Sequence, residues 1–408
     1  MLATFRGNPP LRRLLIVWAQ SCVGTGAGYV ALLLLTVGRL HTGWWIAAVL
    51  LADYLPAIAF GAWFGGLADR YSKRRLLIVA NLVQAAAYGG LALSHTAAPI
   101  VLLALLAGTG GAIERPAVRA ALPVIAGEGS QVAAAVYDTA RWGGMTAGPL
   151  VAAGLVAVGS VALPLALNGA SFVIAAALIA TVSIPSATQD ETREPTGSGV
   201  RAGLAVALSL PAIAIVVACS AGTFIAGGLL NVCEPLFARR VLLGSPSDYA
   251  LLVASYCAGM VLASALVAHL GSRPPRALIG RFVAAVALTA AGMGASALAG
   301  SVGLAAITFA ATGVGNALLL VSGTQLILTT VPVEVQGRLF GAKDTLEGAC
   351  FLIGLAAAGG LVTAEGVRTS LATAAAICAF CGLAGAVALR GRAARMAQPA
   401  DAQLAGAD

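Results

Sequence analysis

Long apolar runs, interrupted by short charged or Pro/Gly-rich segments, recur along the chain from about residue 12 to residue 389. Each run has about 20 residues or more, which is the length that an α-helix needs to cross a hydrocarbon core of about 30 Å. A helix satisfies its own backbone hydrogen bonds, so it is the element that such runs form in lipid. The pattern predicts twelve membrane-spanning helices, near residues 12–36, 44–67, 76–95, 98–120, 131–157, 161–183, 211–237, 248–270, 276–299, 302–329, 339–363 and 368–389.

A polar segment between the sixth and seventh runs divides the chain. Its composition cannot bury itself, so we interpret it as a linker. The predicted fold is an all-α membrane protein of twelve helices in two six-helix bundles. The expected domains are an N-terminal bundle (1–184), a cytoplasmic linker (185–202), a C-terminal bundle (203–390) and a flexible cytoplasmic tail (391–408).

The two halves of the sequence resemble each other. Asp138-Thr139 aligns with Asp344-Thr345, and at the same offset Gly154-Leu155-Val156 aligns with Gly360-Leu361-Val362. Internal repeats of this kind are typical of membrane transporters, whose halves are related by a pseudo-symmetry axis. The sequence therefore predicts two pseudo-symmetric bundles.

The distribution of positive charge predicts the orientation. Of 24 Lys and Arg residues, 19 fall on one side of the predicted spans, 4 on the other and 1 inside a span. Short cytoplasmic loops carry this excess, so both termini are expected in the cytoplasm and the protein in the cell membrane. The net charge of +8 thus reports topology, and we expect no nucleic-acid partner.

Composition argues against an enzyme. With 59% hydrophobic and 10% charged residues, the chain is not a soluble domain. Neither Lys73 nor Lys343 belongs to a phosphate-binding loop, and His41, His95 and His269 are isolated from one another. We expect no catalytic site, no metal site and no cofactor.

A charged loop follows the second predicted span. It reads Gly65-x-Leu67-Ala68-Asp69-Arg70-x-Ser72-Lys73-Arg74. Together with the twelve spans, two halves and central linker, this loop resembles the signature of the major facilitator superfamily, with Ser72 where a glycine is usual. The resemblance implies a latch that holds the two halves in the outward-facing state, formed by Gly65, Asp69, Arg70, Lys73 and Arg74. The alternative is a loop that only sets topology.

The fifth span contains a run of small residues, from Gly144 to Gly154. It is similar to the motif of proton-driven exporters in this superfamily, although two alanines stand where paired glycines follow the proline. Small residues let helices approach closely and a proline favours a bend. The resemblance implies an export role for Gly144, Gly148, Pro149 and Gly154, and ordinary helix packing is the alternative.

Two further segments narrow the resemblance. Pro116-Ala117-Val118-Arg119 and Pro332–Arg338 are similar to the branch that includes the enterobactin exporter and macrolide efflux proteins. This implies export of a bulky, amphipathic small molecule.

Ionisable residues inside predicted spans are costly in lipid, at about 2.5–3.5 kcal/mol each on insertion scales, and are functional candidates for that reason. They could form structural ion pairs, carry protons or contact substrate. Asp53 is a candidate proton carrier, and Glu114 could meet a cationic substrate. Asp138 and Arg141 are one helical turn apart and could neutralise each other. The candidates are Asp53, Glu114, Asp138, Arg141, Asp344 and Glu347.

The superfamily resemblance also implies a central cavity lined by the first, fourth, seventh and tenth spans. Uncharged polar residues are sparse there, which suits a lipophilic substrate with few hydrogen-bonding groups. Each could instead serve helix packing. The candidates are Gln20, Thr25, Tyr29, Thr223, Asn231 and Asn316.

Together these features predict a secondary active transporter that works by alternating access. We expect a proton-coupled exporter of a drug, antibiotic, siderophore or other natural product, acting as a monomer in the lipid bilayer. The alternatives are an importer of a small metabolite and a transporter-like receptor or scaffold that moves no substrate.

Overall fold

The computed structural model describes residues 9–40, 42–126, 130–182, 184, 199–270 and 274–390. Within these ranges the chain forms thirteen α-helices and one π-helical segment, and no strand. The N-terminal half contains α1 (Pro9–Leu40), α2 (Gly43–Arg70), α3 (Lys73–Leu93), α4 (Ala97–Ala126), α5 (Ser130–Val158) and α6 (Ala162–Ala180). The C-terminal half contains α7 (Gly199–Ser209), α8 (Pro211–Leu236) with its π-helical continuation (Phe237–Val241), α9 (Pro246–Leu270), α10 (Pro275–Leu298), α11 (Val302–Thr330), α12 (Val333–Glu365) and α13 (Val367–Arg390).

The helices match the predicted spans closely, which confirms an all-α membrane protein. In the described part of the chain, eleven are long and apolar enough to cross a membrane. The one remaining predicted span, near residues 131–157, is α5, which has 29 residues but a shorter apolar stretch, Gly143–Val158. Its first half is more polar because it contains Asp138 and Arg141.

The helix α7 was not predicted. We expected a linker through residue 202, but α7 begins at Gly199 and packs on α12. Gly203 explains the contact, because a Cβ at this position would overlap the backbone carbonyl of Arg338. The end of the expected linker is therefore part of the second half's packing.

The chain divides into two compact units. The first comprises Met1–Glu194 and Gly244–Ala254, and the second comprises Pro195–Leu243 and Ser255–Asp408. In the first unit α1 packs on α5 and α6, α2 packs on α4, and α3 packs on α4 and α6. The second unit repeats this order: α8 packs on α12 and α13, and α10 packs on α11 and α13.

Glycines bring the paired helices together at repeat-related positions. A Cβ on Gly110 of α4 would lie 3.0 Å from the carbonyl oxygen of Ala80 of α3. A Cβ on Gly315 of α11 would lie 3.0 Å from the carbonyl oxygen of Ala285 of α10. Gly110 and Gly315 are 205 residues apart in the sequence, and so are Ala80 and Ala285. The internal repeat is therefore a repeat of backbone packing.

A second pair of glycines makes a similar close approach in the two units. Gly108 of α4 lies against the backbone carbonyl of Asp53 on α2, and Gly313 of α11 lies against that of Tyr256 on α9. In both units no side chain longer than hydrogen fits between these helices. The chain thus folds into two bundles built on one plan, as the sequence predicted.

Candidate functional site

The charged loop lies at the turn from α2 to α3. Tyr71 ends α2 by donating its backbone N–H to the carbonyl of Leu67, and α3 begins at Lys73, which is buried. Arg74 donates to the backbone carbonyl of Ala180, the last residue of α6. A cation at the C-terminal end of a helix is favourable because that end carries partial negative charge. Arg74 therefore ties the α2–α3 turn to α6.

The other latch candidates differ in their surroundings. Arg70 is exposed, and a Cβ on Gly65 would meet open space. The side chain of Asp69 lies outside the described residues. The latch role of these residues stays a prediction.

The small-residue run of α5 faces α1. A Cβ on Gly144 would lie 2.5 Å from the Cβ of Cys22, and a Cβ on Gly148 would lie 2.6 Å from the backbone of Gly26. Pro149 is buried, whereas Gly154 is exposed in open space. The sequence analysis missed the contribution of α1, although Gly24-x-Gly26-x-Gly28 is visible in the sequence.

Asp53, Glu114 and Arg141 lie within electrostatic range of Arg115 in the first unit. Glu114 accepts a hydrogen bond of 2.8 Å from Nε2 of Gln84 on α3. Arg115 is close enough to Asp53, Glu114 and Arg141 to interact with each electrostatically. Three candidates from three helices, α2, α4 and α5, thus share one region.

Two partners in this region were not among the sequence candidates. Arg115 is adjacent to Glu114, and the sequence analysis counted it among the basic residues of the cytoplasmic side. Gln84 carried no signal of its own, because the sequence does not say which face of α3 meets α4. The predicted pairing of Asp138 with Arg141 stays a prediction, since the side chain of Asp138 lies outside the described residues.

The second unit contains a buried ion pair. Nζ of Lys343 lies 2.8 Å from Oε2 of Glu347, and their side chains are 8% and 5% exposed. Ser220 of α8 donates to the other oxygen of the same carboxylate. The sequence candidate Glu347 thus has a cation and a hydroxyl, both of which satisfy its charge. Asp344, beside Lys343, is exposed.

The spacing of this pair could have been found from the sequence. Positions four apart on a helix lie on one face, which is the relation between Lys343 and Glu347. The sequence analysis placed Lys343 among the basic residues of the cytoplasmic side and did not pair it. The contribution of Ser220 depends on how α8 meets α12.

Three of the cavity candidates bond within their own helices. Thr25 donates to the carbonyl of Ser21, Thr223 to that of Ser220, and Asn231 to that of Gly227. Such bonds satisfy donors of polar side chains within a helix in lipid.

The other cavity candidates include two that connect helices. Gln20 of α1 donates to the backbone carbonyl of Ser171 on α6 at 3.2 Å, and Asn316 of α11 donates to the hydroxyl of Tyr256 on α9. Tyr29 is half-buried on α1. Each of these bonds lies within one unit, so it shapes the interior of a bundle.

No group of three or more His, Cys, Asp or Glu side chains converges among the described residues. The arrangement shown there consists of buried charges, amides and hydroxyls within lipid-embedded helices. Such groups can bind a polar part of a small molecule or carry a proton, which is the chemistry that a polytopic membrane transporter needs.

Comparison with known proteins identifies the family. Residues 9–403 match the family model described as "Transmembrane secretion effector", and the chain belongs to this family of the major facilitator superfamily. A relative in Bacillus subtilis (strain 168), an uncharacterized MFS-type transporter named YfiS, is 25% identical over 393 residues and 90% of each chain is covered.

Solved structures of transporters share the fold. A mutant of the nucleoside transporter NupG has a TM-score of 0.76 at 15% identity, covering 93% of this chain and 100% of that one. A bacterial homolog of the human lysosomal transporter Spinster, inward-facing and unoccupied, has a TM-score of 0.72 at 13% identity, covering 95% and 97%. The chain is a membrane transporter of this superfamily.

Proposed function

We propose that the protein exports a lipophilic or amphipathic small molecule across the cell membrane in exchange for protons. The observation that carries the proposal is the group of Asp53, Glu114 and Arg141 around Arg115 in a chain that matches a secretion-effector family. Charges at membrane depth are retained where they move ions or bind substrate.

The direction of transport is outward in this proposal. The family description supports secretion, and the small-residue contact of α5 with α1 agrees with the motif resemblance to proton-driven exporters. Small residues give two helices a smooth surface on which they can shift against each other. The resemblance to the enterobactin and macrolide exporters suggests a drug, antibiotic, siderophore or other natural product as substrate.

Coupling uses a carboxyl group of the first unit. Glu114 is the best-supported proton carrier. Gln84 holds its carboxyl in place with a hydrogen bond, and Arg115 interacts electrostatically with the same carboxyl. Protonation changes the charge of the group, and any difference between the two conformations in how they accommodate that charge shifts their populations. The loop at residues 65–74 then acts as the latch of the outward-facing state.

The substrate class follows from the scarcity of polar groups. Among the cavity candidates, Thr25, Thr223 and Asn231 are already bonded within their helices, which leaves few groups for a strongly polar substrate. A mostly apolar site favours a lipophilic molecule with few hydrogen-bonding groups.

We further propose cytoplasmic termini and a monomeric transporter.

Transport by the purified full-length protein in liposomes tests the proposal. With an imposed pH gradient, a lipophilic cation, a macrolide or a siderophore should move against the direction of proton flow. Glu114→Gln should abolish the dependence on the gradient. Glu365→Gln changes an exposed carboxyl at the end of α12 and should behave like the unchanged protein.

Other outcomes point to the alternatives. Movement of a small metabolite together with protons would indicate import. The absence of gradient-dependent movement for every compound tested would favour a receptor or scaffold, and unchanged coupling in Glu114→Gln would remove this residue from the mechanism.

A further inference from the structure

Glu234 of α8 is a buried carboxyl that the proposed mechanism does not use. The residue is 6% exposed, although its helix spans the membrane. An ionised carboxylate removed from water is costly unless a positive charge or several hydrogen bonds compensate it. The question for this residue is which group provides the compensation.

No counter-charge for Glu234 is found in the part of the chain that the structure describes. No Lys or Arg of the described residues lies within ion-pair distance of its carboxyl. Glu347 in the same unit is the contrast, because Lys343 and Ser220 satisfy both of its oxygens. The two carboxyls are equally buried but only one is neutralised within the described residues.

The surroundings of Glu234 resemble a binding site for an organic cation. It interacts electrostatically with Tyr256 of α9, whose hydroxyl accepts a hydrogen bond from Asn316 of α11. Tyr256, Asn316 and the neighbouring Asn231 are only partly buried, so the cluster reaches accessible space. Cys233 and Cys257 also interact with Glu234, and Cys378 interacts with Tyr256. The guanidinium of Arg368 on α13 lies over the ring of Phe237 and forms no ion pair with Glu234.

The backbone is irregular where Glu234 lies. Pro235 follows it directly and removes one backbone hydrogen bond of α8, and the helix continues as the π-helical segment Phe237–Val241. Such π-helical turns occur frequently at functional sites. The irregularity therefore coincides with the uncompensated carboxyl.

We propose that Glu234 binds the positive charge of a lipophilic organic cation in a site that Tyr256 and Asn316 complete. The carboxylate neutralises the cation, the ring of Tyr256 provides an aromatic surface, and the amide of Asn316 orients the tyrosine through its hydroxyl. The role of this site in transport rests on the proposed function, whereas binding itself does not.

Equilibrium binding to the full-length protein in lipid nanodiscs tests the site without requiring transport. The probe is tetraphenylphosphonium, a permanent lipophilic cation, and the neutral comparison is triphenylphosphine oxide. The unchanged protein should bind the cation saturably and more tightly than the neutral compound. Glu234→Gln should weaken cation binding by about tenfold or more and leave binding of the neutral compound unchanged.

Two further variants separate binding from folding. Glu234→Asp keeps the charge and should retain the preference for the cation, even if Glu234→Gln does not fold. Glu365→Gln, at an exposed carboxyl of the same unit, should leave cation binding unchanged. The proposal is overturned if the unchanged protein does not prefer the cation over the neutral compound. It is also overturned if Glu234→Gln retains this preference or if Glu234→Asp loses it.

The outcome is distinct from that of the transport experiment. Cation binding that depends on Glu234, without gradient-driven movement, would support the site and contradict the exporter. Gradient-driven export, with cation binding that does not depend on Glu234, would support the exporter and contradict the site.

Discussion

The contact between α1 and α5 in the first unit includes an aromatic pair, whereas the corresponding contact between α8 and α12 in the second unit includes a charged pair. In the first, the rings of Trp18 and Tyr137 meet edge to face with centroids 5.4 Å apart. In the second, Ser220 meets the ion pair of Lys343 and Glu347. The alignment of the two halves places Tyr137 opposite Lys343.

This difference shows that the repeat preserves backbone packing and not side-chain chemistry. Gly110 and Gly315 make the same close approach in the two units. The charged groups are distributed differently: the first unit has Glu114 and Arg115 on α4, and the second has its ion pair on α12. Two similar scaffolds can therefore contribute different chemistry to one transport cycle.

The largest effect is expected from removing the cation of the charged contact. Lys343→Met leaves Glu347 buried without its counter-charge and should lower the free energy of unfolding by about 3–5 kcal/mol. Denaturant-induced unfolding of the purified protein in detergent measures this. Tyr137→Phe, at the corresponding position of the first unit, keeps the aromatic ring and should have a much smaller effect.

The double variant Lys343→Met with Glu347→Leu sharpens the comparison. It removes both charges, so much of the lost stability should return. A double variant no more stable than Lys343→Met would mean that the loss comes from packing and not from an unpaired carboxylate.

An intermediate effect is expected at the close approaches that the two units share. Gly108→Ala and Gly313→Ala force a Cβ against the carbonyls of Asp53 and Tyr256, so each should cost about 1–3 kcal/mol through overpacking. Thermal unfolding of the purified variants measures the effect. Gly143→Ala, where a Cβ meets open space, is the control and should not destabilise.

Similar losses at both sites would support equivalent packing in the two bundles. A loss at only one of the two glycines would limit the repeat to the sequence and contradict the shared plan.

Much of the fold was predictable because helix length in lipid is determined by apolar length. The predicted span 211–237, for example, corresponds to α8 at Pro211–Leu236. The short helix α7 was missed because its sequence lies next to a polar segment and has only eleven residues. Its helical structure is stabilised by packing on α12, which is a tertiary contact.

The candidate site was predictable in part. Burial cost identifies Glu114 and Glu347 as residues that need partners, and that reasoning requires the sequence alone. The partners Gln84 and Ser220 come from neighbouring helices, and their identity depends on the rotation of each helix about its axis. Apolar periodicity is weak in helices that face lipid on one side and protein on the other, so the sequence does not specify this rotation.

The smallest effect on stability is expected at the start of α13. A charged side chain lies there in the second unit, whereas the corresponding helix of the first unit begins with apolar residues. The guanidinium of Arg368 donates to the carbonyls of Ala297 and Ala299 at the end of α10, at 2.5 and 2.9 Å, and lies 5.7 Å from the ring centroid of Phe237. The first unit begins α6 with the apolar residues 162–165.

Arg368→Lys keeps the charge but cannot present two parallel donors, so it should lower the free energy of unfolding by about 1 kcal/mol. Hydrogen exchange should then increase at the C-terminal end of α10, because those carbonyls help to hold its last turn. Arg276→Lys, at the opposite end of α10, serves as the control for a change of arginine to lysine. Unchanged exchange at the C-terminal end of α10 in Arg368→Lys, or an equal increase there in the control, would show that the guanidinium does not hold this end of the helix. The charged and the apolar helix starts would then be equivalent, and the difference between the units would be confined to the α8–α12 contact.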